Sequence, residues 1–128
     1  MAVELNHTIV HSRDQQSSAA FLADLLGLPE PARFGPFLVV QAANGVSLDV
    51  ATDPGPIQPQ HYAFLVTEEE FDEIFDRIRT RELDFWADPF HQQPGQINHK
   101  DGGRGVYWSD PDGHSLEIIT RPYGSGQP

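Results

Sequence analysis

A chain of 128 residues with 38% hydrophobic and 21% charged side chains fits one ordinary globular domain rather than a disordered or coiled-coil protein. Its 19 acidic and 8 basic residues give a formal charge of −11, a field that repels a phosphate backbone, so no nucleic-acid partner is expected. With no cysteine there are no disulfides, thiolate metal sites or cysteine nucleophile, which leaves chemistry to His, carboxylate, hydroxyl or a metal.

No apolar run approaches the ~20 residues of a membrane span. Met1 to Asn6 also lacks the basic-then-apolar layout of a signal peptide, so a soluble, cytoplasmic protein without a membrane partner is expected.

Leu5 to Val10 reads as a short strand, rich in β-branched and apolar residues. Ser12-Arg13-Asp14 offers helix-starting side chains, and Ala19 to Leu26 carries an apolar face that stops at Gly27. Phe37 to Gln41 and Val46 to Ala51 read as two strands around the turn Ala43-Asn44-Gly45. Residues 53–60 hold Pro54, Gly55, Pro56 and Pro59 and read as a linker. After it, His61 to Val66 is a strand. Thr67 and Glu70 form a capping box for a helix whose Phe71, Ile74, Phe75 and Ile78 share one face. Leu83 to Trp86 is a weak strand, Gly105 to Trp108 a better one, and Ser115 to Thr120 closes the chain after the turn Asp110-Pro111-Asp112-Gly113. Residues 122–128 read as a loose tail.

This order repeats. Asn6-His7-Thr8-Ile9 aligns with Gln60-His61-Tyr62-Ala63, and Gly45 to Val50 aligns with Gly113 to Ile118. Each half opens a strand with a histidine and carries a carboxylate, Asp49 or Glu117, in its last strand. Module one covers about residues 3–52 and module two about 61–121. The second is longer chiefly through the loop from Asp88 to Gly103, which bears His91 and His99.

Two histidines from equivalent strands plus one carboxylate make the two-His-one-carboxylate set that holds iron or a similar divalent ion while leaving positions open. Duplicated strands in a closed sheet would bring His7, His61 and Glu117 toward one point. Glu117, in an otherwise apolar strand, needs a cationic partner if it is buried. His11, His91 and His114 read as surface or turn residues. Arg104 and Arg121 read as solvated rim positions, with contact to an anionic substrate group as the alternative.

From Leu5 to about Tyr123 the chain resembles the vicinal-oxygen-chelate superfamily, which includes glyoxalase I, extradiol ring-cleaving dioxygenases, fosfomycin-resistance thiol transferases and bleomycin-resistance proteins. The resemblance rests on Leu5-Asn6-His7 entering a strand, on the helix ending at Leu26-Gly27, and on the segment from Val106 through Asp110-Pro111-Asp112-Gly113-His114 to Glu117. It implies an α+β fold of two tandem βαβββ modules whose curved mixed sheets enclose a metal-binding cleft. It also implies His7, His61 and Glu117 as ligands, with Asp49 a fourth in glyoxalase-like members and none in dioxygenase-like ones.

Ile97-Asn98-His99, Val106-Tyr107, the Asp-Pro-Asp-Gly turn and Glu117 together match the extradiol dioxygenase signature. That resemblance makes His99 and Tyr107 the catalytic pair. His99 is a proton donor, and Tyr107 hydrogen-bonds the catecholate oxygen. The chain departs from that family in having no histidine between His11 and His61, where another active-site histidine is usual; Asp49 and His11 are the candidates to substitute.

The resemblance thus implies a metal-dependent dioxygenase with a small catechol-like substrate. The cofactor is a divalent metal, Fe(II) first, with Mn(II), Zn(II) or Ni(II) as alternatives, and the assembly is a homodimer. A glyoxalase-like lyase or isomerase, a thiol transferase, and a drug-sequestering protein of the bleomycin-resistance type are the competing readings.

Overall fold

The computed structural model of the protein describes residues 2–126. The chain divides into two units, Met1–Gln58 and Pro59–Pro128. In the first, β1 (His7–Ser12) is followed by α1 (Gln15–Leu26), β2 (Ala32–Phe34), β3 (Phe37–Gln41) and β4 (Ser47–Thr52). Its four strands lie in the order β1-β4-β3-β2; β1 runs parallel to β4 and the other pairs are antiparallel, so the unit is a βαβββ module with a mixed sheet.

Helix α1 starts because the Asp14 carboxylate accepts the Gln16 N–H and the Ser17 hydroxyl. It stops where Gly27 takes a left-handed φ of 69° and returns its N–H to the Ala23 carbonyl. Between those ends Ala19, Leu22, Ala23 and Leu25 are buried with Val10, Val40, Leu48 and Val50 of the strands. Each such Val or Leu contributes about 1.5–3 kcal/mol. Burial alternates along β1, with Val10 and Ser12 inward and His7, Ile9 and His11 outward.

The second unit holds β5 (His61–Leu65), α2 (Glu68–Thr80), a 3-10 turn at Lys100–Gly102, β6 (Gly105–Ser109) and β7 (Ser115–Ile119). Strand order is β5-β7-β6, with β5 parallel and β6 antiparallel to β7. The capping box forms in full: Glu70 N–H donates to Thr67 Oγ1 and Thr67 N–H to Glu70 Oε1. Phe71, Ile74 and Ile78 of α2 are buried, as are Val106, Trp108, Leu116 and Ile118 from one face of the sheet. Among the described residues no helix is long and apolar enough to cross a membrane.

Three elements depart from the sequence reading. Strand β1 lies two residues later than 5–10, in the register that pairs His7 to Ser12 with Ser47 to Thr52 of β4. The edge strand β2 was not anticipated; its three residues are all exposed, so no alternation marks it. The strand expected at Leu83 to Trp86 survives only as isolated bridges from Trp86 to Pro94 and to Tyr107. Pro94 has no N–H to extend a ladder. The Asp88 carboxylate meanwhile gathers the backbone N–H groups of Phe90, Gln92 and Gln93, which turns the chain at once.

Candidate metal centre

In the second unit Glu117 lies between Ala63 of β5 and Tyr107 of β6, each its direct partner in register. Residues paired across a ladder project to the same face, so Ala63, Glu117 and Tyr107 form one row. One step along the same face, His61 pairs with Ser115. The imidazole leans along the sheet to Glu117, with Nε2 2.9 Å from Oε1, and its Nδ1 meets the Ser115 carbonyl oxygen at 3.1 Å. The small side chain of Ala63 leaves room for that approach.

The pair joins unequal environments. Glu117 is 1% exposed whereas the His61 side chain is 47% exposed, so a half-exposed imidazole stands beside a sunken carboxylate. An Nδ1–H directed at the Ser115 carbonyl leaves the Nε2 lone pair aimed at Glu117, and two electron-rich atoms so placed need a proton or a cation between them. Two neighbouring ligand atoms of an octahedral ion, each ~2.1 Å from it, stand about 3 Å apart. The observed 2.9 Å separation is that of an ordinary N–H···O hydrogen bond and is also close to this ligand spacing, so the His–carboxylate donor set fits a divalent metal that displaces the bond.

Around this pair stand two phenols. Tyr107 is buried, stacks on His61 with ring centroids 5.8 Å apart, and meets the Tyr123 hydroxyl at 3.0 Å. The Tyr123 hydroxyl in turn donates to Glu117 Oε2. Burial first, then hydrogen bonding with Glu117 and its charge, push the Tyr107 phenol far above its usual range, so it keeps its proton. The sequence reading assigned Tyr123 to a loose tail and missed it; the one signal available was an aromatic residue six positions after the carboxylate.

The first unit repeats the register. His7 pairs with Ser47 and Ile9 with Asp49, just as His61 pairs with Ser115 and Ala63 with Glu117. The side chains nevertheless differ. Asp49, one methylene shorter than a glutamate, accepts from the Ser47 hydroxyl at 3.0 Å, and exposed His7 meets the Asn6 amide oxygen through Nδ1 at 2.7 Å. Among the described residues no group of three or more His, Asp or Glu side chains converges closely enough to hold a metal by itself.

His99 is exposed and precedes the 3-10 turn. His11 Nδ1 lies 3.5 Å from the Asp53 carboxylate, both side chains half-exposed, and exposed His91 stacks flat on Trp86.

His114 corrects the expectation of a surface or turn role. It is fully buried, its Nδ1 accepts the Gln60 N–H, and its backbone N–H donates to the Asp110 carboxylate. It ties the entry of β5 to the turn before β7, and the Gln60 N–H occupies the lone pair of the buried Nδ1.

The Arg104 guanidinium is already engaged by Glu68 and Asp72 and lies over the Phe71 ring. Arg121 donates to the Ser125 carbonyl.

The family described as the Glyoxalase/Bleomycin resistance protein/Dioxygenase superfamily matches residues 4–118. Among solved structures, Oxidase ChaP-H1 is 71% identical with a TM-score of 0.95, over 96% of this chain and 99% of that one. Oxidase ChaP-H2 is 61% identical with a TM-score of 0.96, over 99% and 100%. Glutathione transferase FosA of Serratia marcescens is 32% identical over 124 residues, which is 92% of this chain and 81% of that protein. All three carry the names of enzymes. The paired modules, their common register and these matches together establish that the chain belongs to the glyoxalase/bleomycin resistance/dioxygenase, or vicinal-oxygen-chelate, superfamily.

Proposed function

We propose that the protein is a metal-dependent oxidoreductase of the extradiol ring-cleaving dioxygenase kind, acting on a small catechol-like molecule with two adjacent oxygens. The observation that carries this reading is the His61–Glu117 pair, two ligand-type atoms 2.9 Å apart on a sheet face shared with a protonated phenol, Tyr107. The 71% identity to a protein named an oxidase favours redox chemistry over the alternatives.

His61 and Glu117 would hold the ion, with His7, which has the same strand position in the first unit, as the proposed third ligand. When bound, a divalent metal there, Fe(II) above others, supplies Lewis acidity to adjacent substrate oxygens and redox chemistry toward dioxygen. The remaining work belongs to the chain. The Ser115 carbonyl fixes the ring orientation of His61. Tyr107, kept protonated by burial and by Glu117, would turn its hydroxyl from Tyr123 to a substrate oxygen and hold it in place. His99 serves as the proton donor. The assembly is a homodimer, and static light scattering at micromolar concentration that returns a monomer refutes that part.

The decisive assay is oxygen uptake by the ferrous protein with a panel of catechols, watched for the yellow ring-opened product. If no catechol is consumed at full ferrous occupancy, the dioxygenase reading fails.

One observation favours a second reading, redox-neutral thiol transfer: the 32% identity to a glutathione transferase. Asp49 separates the two. As a fourth ligand it closes a position and suits thiol transfer; left on Ser47, as it lies here, it keeps that position open.

A further inference from the structure

We infer that Tyr123 is a positioning residue that divides the two oxygens of Glu117, holding Oε2 through its hydroxyl so that only Oε1 is offered, beside His61 Nε2, to a cation. The inference rests on the metal reading above and concerns a residue outside that ligand set.

Glu117 Oε1 faces His61 Nε2, while Glu117 Oε2 accepts from the Tyr123 hydroxyl. The two oxygens therefore point at different partners and are not interchangeable. A carboxylate free to rotate offers a cation one oxygen or both. One whose second oxygen is already hydrogen-bonded offers one, in a fixed direction, and leaves the opposite side of the ion for other ligands. Each oxygen of a buried carboxylate also needs a partner, and with Glu117 1% exposed water does little of that work.

The Tyr123 hydroxyl is itself located by Tyr107, 3.0 Å away, on the same strand row as Glu117. The segment that delivers Tyr123 is anchored at several points. The Lys100 ammonium lies 5.7 Å from the Tyr123 ring centroid, Gly126 N–H donates to the Asp101 carboxylate at 3.1 Å, and Arg121 donates to the Ser125 carbonyl at 3.2 Å. Lys100 and Asp101 belong to the 3-10 turn that directly follows His99, so the C-terminal segment and the His99 loop are fastened together beside Glu117.

The test is a titration of the metal-free protein with cobalt(II), read by calorimetry and by the visible absorption of the bound ion, for the natural chain, Tyr123→Phe, Tyr107→Phe, His61→Ala and Glu117→Ala. Tyr123→Phe removes one oxygen and keeps the ring, and its thermal melt confirms folding. Expected for Tyr123→Phe are a cobalt affinity lower by about 10- to 100-fold and weaker visible bands, because a released Oε2 adds a ligand and raises the coordination number. Tyr107→Phe keeps the Tyr123–Glu117 hydrogen bond and is expected to show the smaller loss. Unchanged affinity and spectrum in Tyr123→Phe overturn the inference. Weaker binding with unchanged bands also overturns it, since the hydroxyl would then not be withholding Oε2. If His61→Ala and Glu117→Ala bind cobalt as the natural chain does, the metal reading itself has failed, which is a different outcome from a silent Tyr123→Phe.

Discussion

Replacing His61 by alanine in the metal-free protein is the sharpest test of the centre. The substitution leaves a carboxylate that is 1% exposed with the phenols of Tyr123 and Tyr107 beside it. Breaking a fully buried ion pair by deleting one member costs about 3–5 kcal/mol. Here the imidazole side chain is 47% exposed, so water enters the vacated volume and screens the charge. The expected loss is therefore about 1–2 kcal/mol, or a fall in Tm of roughly 4–8 °C for a chain this size.

Glu117→Gln behaves differently, because its amide still accepts from Tyr123 and donates to the Nε2 lone pair, and it should stay within about 1 kcal/mol. The double variant strands no charge, so it should be more stable than His61→Ala alone, with a coupling of about 1 kcal/mol. Urea denaturation in the presence of a chelator measures all four proteins. Saturating metal at about 100 times Kd should then add ~2.7 kcal/mol to the natural chain and far less to either single variant. A metal-free His61→Ala as stable as the natural chain, with additive singles, refutes the claim that the His61–Glu117 contact stabilises the metal-free fold.

His7→Ala and Glu117→Ala should each strip most bound metal, measured by elemental analysis after dialysis, while Asp49→Ala should leave it nearly intact; a loss in Asp49→Ala favours thiol-transfer chemistry instead. His99→Phe should lower catechol turnover by about a hundredfold and Tyr107→Phe by roughly ten- to a hundredfold, both with metal content preserved. Alkaline titration followed at 295 nm should show a tyrosine ionising well above pH 10 that disappears in Tyr107→Phe. Because folding favours the neutral phenol of Tyr107, its contribution to stability is complete below pH 10 and is lost as pH rises through that range; a Tyr107 that titrates normally refutes its buried hydrogen-bonded placement.

What the sequence by itself determined is whatever depends on local pattern. Asp14 and Gly27 bound α1, Thr67 and Glu70 start α2, and the matched strands opening on His7 and His61 place two histidines at equivalent points of two parallel ladders. Periodicity and capping act within a few residues, so the chain need not be folded in thought to read them. A side chain's partners across the fold are another matter. Whether Leu83 to Trp86 pairs along its length depended on Pro94 and on the amides gathered by Asp88, and three exposed residues gave β2 no pattern to show. Tertiary structure alone decided that His114 is sealed between Asp110 and Gln60. It also decided that Asp49 stops at Ser47 where Glu117 reaches His61, one methylene and one neighbouring hydroxyl separating the two halves of the repeat. Tyr123 reaches Glu117 only because the chain turns back after β7 and is fastened to the Asp101 turn, a hydrogen bond fixed by a chain reversal that no period in the sequence encodes.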